Sequence, residues 1–294
     1  MFHKIMIPLD GSGEAESVLP YLKNLARRFG SQVVVMGVGV GSKRRRVNRL
    51  LEEYLDKTTD DLRVDKIEAK AVILYGSPVD KIIDYTEQDS VDLIIMATHG
   101  RGGVTRWWMG SVAEKVICEA RPPVLLIRSK ISEENEVLKK ATFSKILAPV
   151  DGSDIGEAAL YHAEEIAKET GASIELVQAV QLPGAIESGI FGSAGEDKIR
   201  AIHEAADSYL GNVAERLREK GIKATCKVVT GDPADEIVKY AEDKKIDLIT
   251  MSTHGRSGVA RWVLGSVADK VLHGAKVPIW LVRSPRMVSP RPKD

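Results

Sequence analysis

The sequence predicts an α/β fold in which two tandem domains each form a doubly wound parallel sheet. Three observations lead to this prediction. The 294 residues are about twice the length of a typical domain. The second half of the chain repeats the first half, and each half alternates short apolar runs with amphipathic segments. Such alternation is typical of parallel strands that are joined by helices.

The duplication is visible near the start of each copy and again further along. The segment 3–12, HKIMIPLDGS, reappears at 144–153 as SKILAPVDGS, with an offset of 141 residues. The segment 91–96, VDLIIM, reappears at 246–251 as IDLITM, and the offset is then 155. Copy two therefore holds 14 extra residues between its second and third strands. A period as long as a domain indicates duplication rather than a solenoid.

The first elements of copy one follow from the apolar pattern. The run 4–9 ends in Asp-Gly-Ser, which indicates a strand followed by a turn. Residues 14–29 have apolar side chains at helical spacing and stop before Gly30, so one helix is predicted there. Residues 33–40 are β-branched and apolar, which favours a buried strand, and 49–62 again show helical spacing.

The rest of copy one continues the alternation. Residues 67–74 are predicted to form a strand, and Ser77 and Pro78 are the expected N-cap and first residue of the next helix. The continuous apolar run 91–97 is typical of a central parallel strand. The copy ends with a predicted helix over 112–118 and a predicted strand over 123–128.

Copy two repeats this order, so each half is predicted to be a Rossmann-like domain. Domain one is assigned to residues 1–130 and domain two to residues 142–285. The polar and charged segment 131–141 is interpreted as a linker, and residues 286–294 as a loose tail.

We expect the two copies to pack against each other as an intramolecular pseudo-dimer. Val124–Ile127 and Ile279–Val282 are apolar, and each forms part of the last strand of its copy. Unpaired, these strands would be exposed sheet edges, which proteins avoid. A further homodimer of the whole chain is a second possible assembly.

The composition argues against several kinds of partner. Lys plus Arg (42) equals Asp plus Glu (42), so no net charge draws the chain to nucleic acid or to an anionic membrane. Two cysteines make no disulfide framework. The N-terminus lacks a signal-peptide pattern, and no apolar run is long enough to span a bilayer. We therefore expect a cytoplasmic protein with no nucleic-acid or membrane partner.

Candidate binding residues follow the first and fourth strands of each copy, where doubly wound sheets bind their ligands. Asp10 ends the first strand, Gly100 follows the fourth, and Gly110-Ser111 begins the next helix. Windows 97–116 and 252–271 are identical at 14 of 20 positions. A glycine–serine helix start offers backbone N–H groups to an anion. Gly100 is expected to let the chain turn closely over a ligand, and a side chain at Gly110 is expected to stand where phosphate oxygens lie.

These residues resemble the universal stress proteins, and specifically their ATP-binding branch with the motif Gly-x2-Gly-x9-Gly-Ser/Thr. The resemblance covers both copies: the Pro-x-Asp-Gly-Ser start, the Asp-Leu-Ile-x-Met strand, the Thr-His-Gly-Arg-x-Gly loop and the Gly-Ser-Val-Ala helix start. It implies the strand order 3-2-1-4-5 and one adenine nucleotide (ATP, ADP or AMP, with Mg²⁺ as an optional companion) in each copy. It also implies a regulatory role in the stress response with little or no catalysis.

The resemblance also implies which residues bind the nucleotide. The aspartates would contact the ribose, the strand-two residues the adenine, the methionines the sugar and base, and the glycine–serine pairs the phosphates. In copy one the residues are Pro8, Asp10, Val38, Met96, Ala97, His99, Gly100, Gly110, Ser111 and Val112. In copy two they are Pro149, Asp151, Ala179, Met251, Ser252, His254, Gly255, Gly265, Ser266 and Val267.

The sequence departs from the motif at one position in each copy, where Ala97 and Ser252 replace the first glycine. Backbone contacts survive there if φ is negative. Asp10 has an alternative role in capping its own turn, and His99 and His254 have one in stabilising their loops. Two alternatives stay open for the arginines of the loops, which contact either phosphate or solvent: Arg101, Arg106, Arg256 and Arg261. Two also stay open for the basic cluster 43–46, which either faces solvent or attracts an anion.

Two other functions compete with nucleotide-dependent regulation: a weak ATP hydrolase, and a nucleotide-free interaction module that acts through its dimer surface. The hydrolase is disfavoured because the chain has no Gly-x4-Gly-Lys-Ser/Thr loop and no base–nucleophile pair near the glycines. No catalytic residue and no metal site are predicted.

Overall fold

The structure is a computed structural model, and it describes residues 2–39, 45–100, 109–128, 141–181, 192–254 and 264–283. The predicted tail 286–294 and the predicted linker, apart from Ala141, lie outside these residues. So do Gly255, the four loop arginines, and Lys43 and Arg44 of the basic cluster.

Copy one alternates five strands with helices, as the apolar pattern predicts. Its strands are β1 (Lys4–Pro8), β2 (Gln32–Gly39), β3 (Ala69–Tyr75), β4 (Leu93–Ala97) and β5 (Val124–Ile127). Its helices are α1 (Gly13–Glu16), α2 (Leu19–Phe29), α3 (Arg45–Val64), α4 (Pro78–Gln88) and α5 (Ser111–Glu119).

Copy two repeats this order. Its strands are β6 (Lys145–Pro149), β7 (Ser173–Val180), β8 (Ala224–Thr230), β9 (Leu248–Ser252) and β10 (Ile279–Val282). Its helices are α6 (Asp154–Thr170), α7 (Gly192–Glu219), α8 (Pro233–Asp243) and α9 (Ser266–Gly274). Among the helices of the described ranges, none is long and apolar enough to cross a bilayer.

All ten of these strands belong to one sheet, in the order β3-β2-β1-β4-β5-β10-β9-β6-β7-β8. Each half therefore has the expected order 3-2-1-4-5, and the pairs within each half are parallel. The two halves meet where β5 pairs with β10 in antiparallel register, with Leu125 opposite Trp280. This confirms the predicted pairing of the last strands within one chain.

The two halves share their hydrophobic cores across this junction. One core on one face of the sheet contains Phe2 of copy one and Trp280 of copy two, and both side chains are almost fully buried. Their rings lie 5.0 Å apart, and the imidazole of His162 on α6 stacks on Phe2 at 5.9 Å. Burial of rings from both copies in one cluster favours a single packed body over two independent domains.

The predicted helix 14–29 is wrong in one respect, because it is split into α1 and α2. Pro20 lies in the first turn of α2 and has no N–H to continue the hydrogen bonds of α1. Copy two has Tyr161 at the matching position, and α6 runs unbroken for 17 residues. The proline therefore sets this difference between the copies.

Part of the 14-residue insertion of copy two lengthens one helix. Helix α7 has 28 residues, whereas its counterpart α3 has 20. Because residue 45 corresponds to residue 200 at the offset of 155, the additional turns lie at the N-terminal end of α7. Copy two thus carries a feature that copy one lacks.

The junction makes the stability of the fold depend on pH through His162. Burial lowers the pKa of this imidazole to about 4, although the nearby Glu165 carboxylate acts in the opposite direction. The unfolded chain takes up a proton near pH 6.5, while the folded chain stays neutral there. The free energy of unfolding therefore falls as the pH drops from about 6.5 towards 4.

Replacing His162 by Phe should reduce this loss, because the ring stacking is kept and the titrating group is removed. We expect wild type to lose on the order of 2 kcal/mol more stability than His162→Phe between pH 7 and pH 4.5. Urea unfolding at a series of pH values measures the difference. Parallel pH profiles for the two proteins would contradict the assignment.

Candidate functional site

A cleft of about 460 Å³ opens at the carboxyl ends of β1 and β4 in copy one. This is the switch point of the sheet, since β1 pairs with β2 on one side and with β4 on the other. All ten residues predicted for copy one line this cleft: Pro8, Asp10, Val38, Met96, Ala97, His99, Gly100, Gly110, Ser111 and Val112. The structure thus brings them together, and their roles towards a ligand stay predictions.

One wall of the cleft is apolar and includes residues that sequence reasoning missed. Met36, Pro78 and Ile82 line the cleft beside Val38 and Met96. A signal for Met36 was present in the sequence, because it lies two residues before Val38 on the same strand and so shares its face. Pro78 and Ile82 come from α4, whose position over the cleft follows from packing rather than from a local pattern.

Asp10 organises the turn that leaves β1. Its Oδ1 accepts hydrogen bonds from the Ser12 N–H at 3.0 Å and from the Ser12 hydroxyl at 2.6 Å. The Ser12 Oγ in turn accepts from the Ala15 N–H at 3.2 Å and caps α1. The alternative role of Asp10 as a turn cap is therefore confirmed, and the same residue also lines the cleft.

The same turn is built in copy two. Asp151 Oδ1 accepts from the Ser153 N–H at 3.0 Å and from its hydroxyl at 2.6 Å. Ser153 Oγ accepts from the Gly156 N–H at 3.0 Å and caps α6. Repetition of the whole network in both copies indicates that the placement of the carboxylate is a constraint of the fold.

A tyrosine on the neighbouring helix lies within electrostatic range of each turn aspartate, Tyr54 near Asp10 and Tyr209 near Asp151, and sequence reasoning missed both tyrosines. Burial, helped by the Glu16 carboxylate, raises the pKa of Tyr54 on α3 to about 12. Tyr209 on α7 donates a hydrogen bond to Glu157 Oε1 at 2.7 Å, and burial raises its pKa as well. The two tyrosines are separated by the repeat offset of 155, which was the available signal.

Gly100 allows the loop after β4 to approach Asp10. A Cβ added at Gly100 would lie 2.5 Å from Asp10 Oδ2, which is closer than a carbon and an oxygen can stand. The sequence predicts that this glycine lets the chain pass close to a ligand. Within the protein itself, the close neighbour of Gly100 is the Asp10 carboxylate. Gly100 therefore allows the loop after β4 to pack against the turn after β1.

Gly110 places the start of α5 at the cleft. Its N–H donates to the Thr98 carbonyl at 2.8 Å, and it is the N-cap of α5, where no side chain accepts from the first turn. The N–H groups of the first turn lack intrahelical acceptors, and Ser111 and Val112 line the cleft. A helix N-terminus with free N–H groups at a cleft is suited to an anion.

A side chain at Gly110 would meet the protein itself rather than only the expected phosphate position. An added Cβ would lie 3.3 Å from the Thr98 carbonyl oxygen in copy one. At Gly265 in copy two it would lie only 2.9 Å from the Thr253 carbonyl oxygen. A side chain is therefore tightly confined at Gly110, whereas at Gly265 the backbone of the loop would have to shift to admit one.

The replaced motif glycines fit the structure. Ala97 and Ser252 end β4 and β9, and neither has a positive φ, so a side chain is tolerated there. The Ser252 hydroxyl donates to the Ile155 carbonyl at 2.7 Å, which is on α6. The extra hydroxyl of copy two is thus satisfied within the protein.

The two loop histidines occupy equivalent positions. Nδ1 of His99 lies 3.1 Å from the Thr98 hydroxyl, and Nδ1 of His254 lies 3.0 Å from the Thr253 hydroxyl. These contacts support their role in holding the loops. Across the described ranges, no three His, Cys, Asp or Glu side chains come together in a way that could hold a metal ion.

Copy two places its predicted residues at the same points of the fold, with Gly255 outside the described residues. Asp151 follows β6, His254 follows β9, and Gly265 is the N-cap of α9. The apolar wall differs, because Val177 and Ala179 stand where copy one has Met36 and Val38.

The fold and the cleft define a class: doubly wound α/β proteins whose ligand site lies at the switch point, under a helix N-terminus. A model of the universal stress protein family matches residues 1–128 and again residues 142–283. The chain belongs to the universal stress protein family, and it contains that domain twice.

Individual relatives agree with this. A universal stress protein of Methanocaldococcus jannaschii is 37% identical over 144 residues, which cover 49% of this chain and 84% of that protein. One of Mycobacterium tuberculosis is 27% identical over 229 residues, which cover 74% of this chain and 70% of that protein. The crystal structure of a universal stress protein from Archaeoglobus fulgidus covers 96% of this chain and 99% of its own, with a TM-score of 0.71 at 20% identity, and shares the fold.

The two N-cap glycines, Gly110 of α5 and Gly265 of α9, should differ in their tolerance of alanine. Gly265→Ala brings a Cβ to 2.9 Å from a backbone oxygen, whereas Gly110→Ala brings it to 3.3 Å. We expect Gly265→Ala to destabilise the fold by about 1–3 kcal/mol, and Gly110→Ala by less. Gly211→Ala within α7 is the control, because its Cβ enters open space and should stabilise the helix. Urea unfolding of the three variants tests the order, and equal losses at the two loop glycines would contradict it.

Proposed function

We propose that each copy binds one adenine nucleotide and that the protein acts as a nucleotide-dependent regulator of the stress response rather than as a fast enzyme. One observation carries this proposal. In copy one, a single cleft holds an apolar wall, a carboxylate and the N-terminus of α5. These three features match the base, the ribose and the phosphates of a nucleotide.

The proposed pose follows from the chemistry of each wall. Val38 and Met96 offer apolar contact to a planar base, and the fully buried Met36 belongs to the same core cluster as Met96. The Asp10 carboxylate is an acceptor for ribose hydroxyls. The N–H groups at Ser111 and Val112 are donors for phosphate oxygens at the positive end of α5. In copy two, Asp151, Met251 and Ser266 take the corresponding roles.

Binding without fast turnover fits the groups that line the cleft. Among the described residues of its wall there is no lysine and no arginine to stabilise a transferring phosphoryl group. The Asp10 carboxylate is already engaged by Ser12 in its turn. We therefore assign no catalytic residue, and we treat Mg²⁺ as an optional companion of the phosphates.

The wider assignment is also a proposal. We propose domain boundaries at 1–130 and 142–285, because each range holds one full copy of the repeat. We propose that the chain has no nucleic-acid partner, because its net charge is zero. We propose a cytoplasmic location, because two free cysteines suit a reducing compartment.

Nucleotide titration of paired variants tests the binding proposal. Ser111 and Ser266 are exposed first residues of α5 and α9, where an acidic side chain suits the helix but repels a phosphate. Wild type freed of nucleotide should bind two molecules of ADP, ATP or AMP, Ser111→Asp and Ser266→Asp one each, and the double variant none. Calorimetry gives the stoichiometry.

The matched control is Ser111→Ala, which keeps the backbone donors and should weaken the copy-one site by only about 1–3 kcal/mol. Wild type that binds none of the three nucleotides would overturn the proposal. The nucleotide-free interaction module would then be the leading function.

Turnover should be slow. Because the sequence has no phosphate-loop lysine and the described cleft lining holds no lysine or arginine, ATP hydrolysis is expected well below about 1 per second, the lower end of ordinary enzyme rates. Phosphate release from ATP measures the rate, with Ser111→Asp/Ser266→Asp as the blank. A rate above that value which the double variant abolishes would favour the hydrolase instead.

A further inference from the structure

We propose that Arg128 and Arg283 are positioning residues, and that each holds the phosphate-binding helix of the opposite copy. This inference rests on the proposed function and names residues outside the cleft on which each site depends. Neither arginine lines the copy-one cleft. The proposal follows from two cross-copy contacts that are equivalent in the repeat.

Each arginine donates to the end of a helix in the other copy. Arg128 directly follows β5 of copy one, and its Nη2 donates to the His273 carbonyl of α9 at 2.6 Å. Arg283 directly follows β10 of copy two, and its Nη1 donates to the Glu119 carbonyl of α5 at 3.1 Å. The two arginines are separated by the repeat offset of 155, so the contact has been built twice.

Both acceptors are carbonyls in the last turn of their helix. The last four carbonyls of an α-helix have no intrahelical donor, and a cation there complements the helix dipole. Helices α5 and α9 have nine residues each, so they are about 13 Å long. One end of such a helix meets the proposed phosphates, and the other end meets the arginine of the opposite copy.

Partial burial strengthens the hydrogen bond that each arginine donates. Both guanidinium groups are partly desolvated, which lowers their pKa values from the usual range but leaves them charged at neutral pH. A hydrogen bond from a charged group is stronger where water is partly excluded. The arginine therefore fixes the axial position of the helix, and with it the N–H groups at the cleft.

Two backbone hydrogen bonds and the Arg128 side chain connect the start of α5 to the C-terminal end of α9. Gly110 N–H donates to the Thr98 carbonyl at 2.8 Å, and Thr98 N–H donates to the Ile127 carbonyl at 2.9 Å. Ile127 precedes Arg128, whose side chain holds the C-terminal turn of α9. The backbone at this point thus supports the loop of copy one, while the side chain supports the helix of copy two.

The mirror path exists in the other direction. Gly265 N–H donates to the Thr253 carbonyl at 2.9 Å, and Thr253 N–H donates to the Val282 carbonyl at 2.9 Å. Val282 precedes Arg283, which holds the end of α5. We therefore expect a change of the arginine side chain to disturb mainly the opposite copy, because these backbone bonds within its own copy are kept.

The experiment uses the full chain with one site disabled at a time and ADP as the probe. In the Ser111→Asp parent only the copy-two site binds, and Arg128→Ala should weaken ADP there about five-fold. In the Ser266→Asp parent only the copy-one site binds, and Arg128→Ala should change its affinity by less than about two-fold. Arg283→Ala should give the reverse pattern.

Two further measurements separate positioning from general stability. Arg128→Lys keeps a cationic donor and should restore most of the lost affinity at the copy-two site. Hydrogen exchange without ligand should show faster exchange of the α9 amides in Arg128→Ala, with the α5 amides unchanged. If Arg128→Ala does not fold, Arg128→Gln, which keeps a neutral donor, replaces it in both measurements.

The outcomes are distinct. Equal weakening of both sites, or an unchanged copy-two affinity with unchanged α9 exchange, overturns the positioning role. If the Ser111→Asp and Ser266→Asp parents, with both arginines intact, fail to bind ADP, the proposed function is overturned instead. In that case the selective exchange of α9 in Arg128→Ala still supports the structural part of the inference, and its absence overturns that part too.

Discussion

The antiparallel pairing of β5 with β10 is the constraint on which the rest of the molecule depends. It removes one apolar edge from each half and makes ten strands into one sheet. It buries Phe2 and Trp280 in a shared core. It also brings Arg128 and Arg283 within reach of the opposite helices. Either half on its own would lack a partner for its last strand, part of the shared core and the arginine contact from the other half.

The candidate site arises where independent features of the fold meet. The strand order leaves an opening between the ends of β1 and β4, Asp10 is held there by its own turn, and Gly100 lets the next loop close on it. Gly110 then aims a helix N-terminus at the same opening. The aspartate turn and the glycine N-cap recur in copy two, despite the changes at Val177 and Ala179.

The sequence predicted the parts of the molecule that local patterns determine. Apolar runs placed all five strands of copy one, and the duplicated loop identified Asp10, Gly100 and Gly110 as neighbours of one cleft. The sequence did not predict the break in the first helix, because the helical apolar spacing continues on both sides of Pro20. It also missed Pro78 and Ile82 in the cleft wall and the contacts of Arg128, since these depend on how distant elements pack.

The reversed direction of the two halves has a consequence for how the molecule meets others. Because β5 and β10 are antiparallel, the carboxyl ends of the strands in copy one point opposite to those in copy two. The two sheet edges at which we propose binding therefore lie on opposite sides of the molecule. The lengthened α7 belongs to one edge only. The two opposite edges of the fused chain therefore have different surfaces. A symmetric pair of identical single domains would present the same surface at both edges.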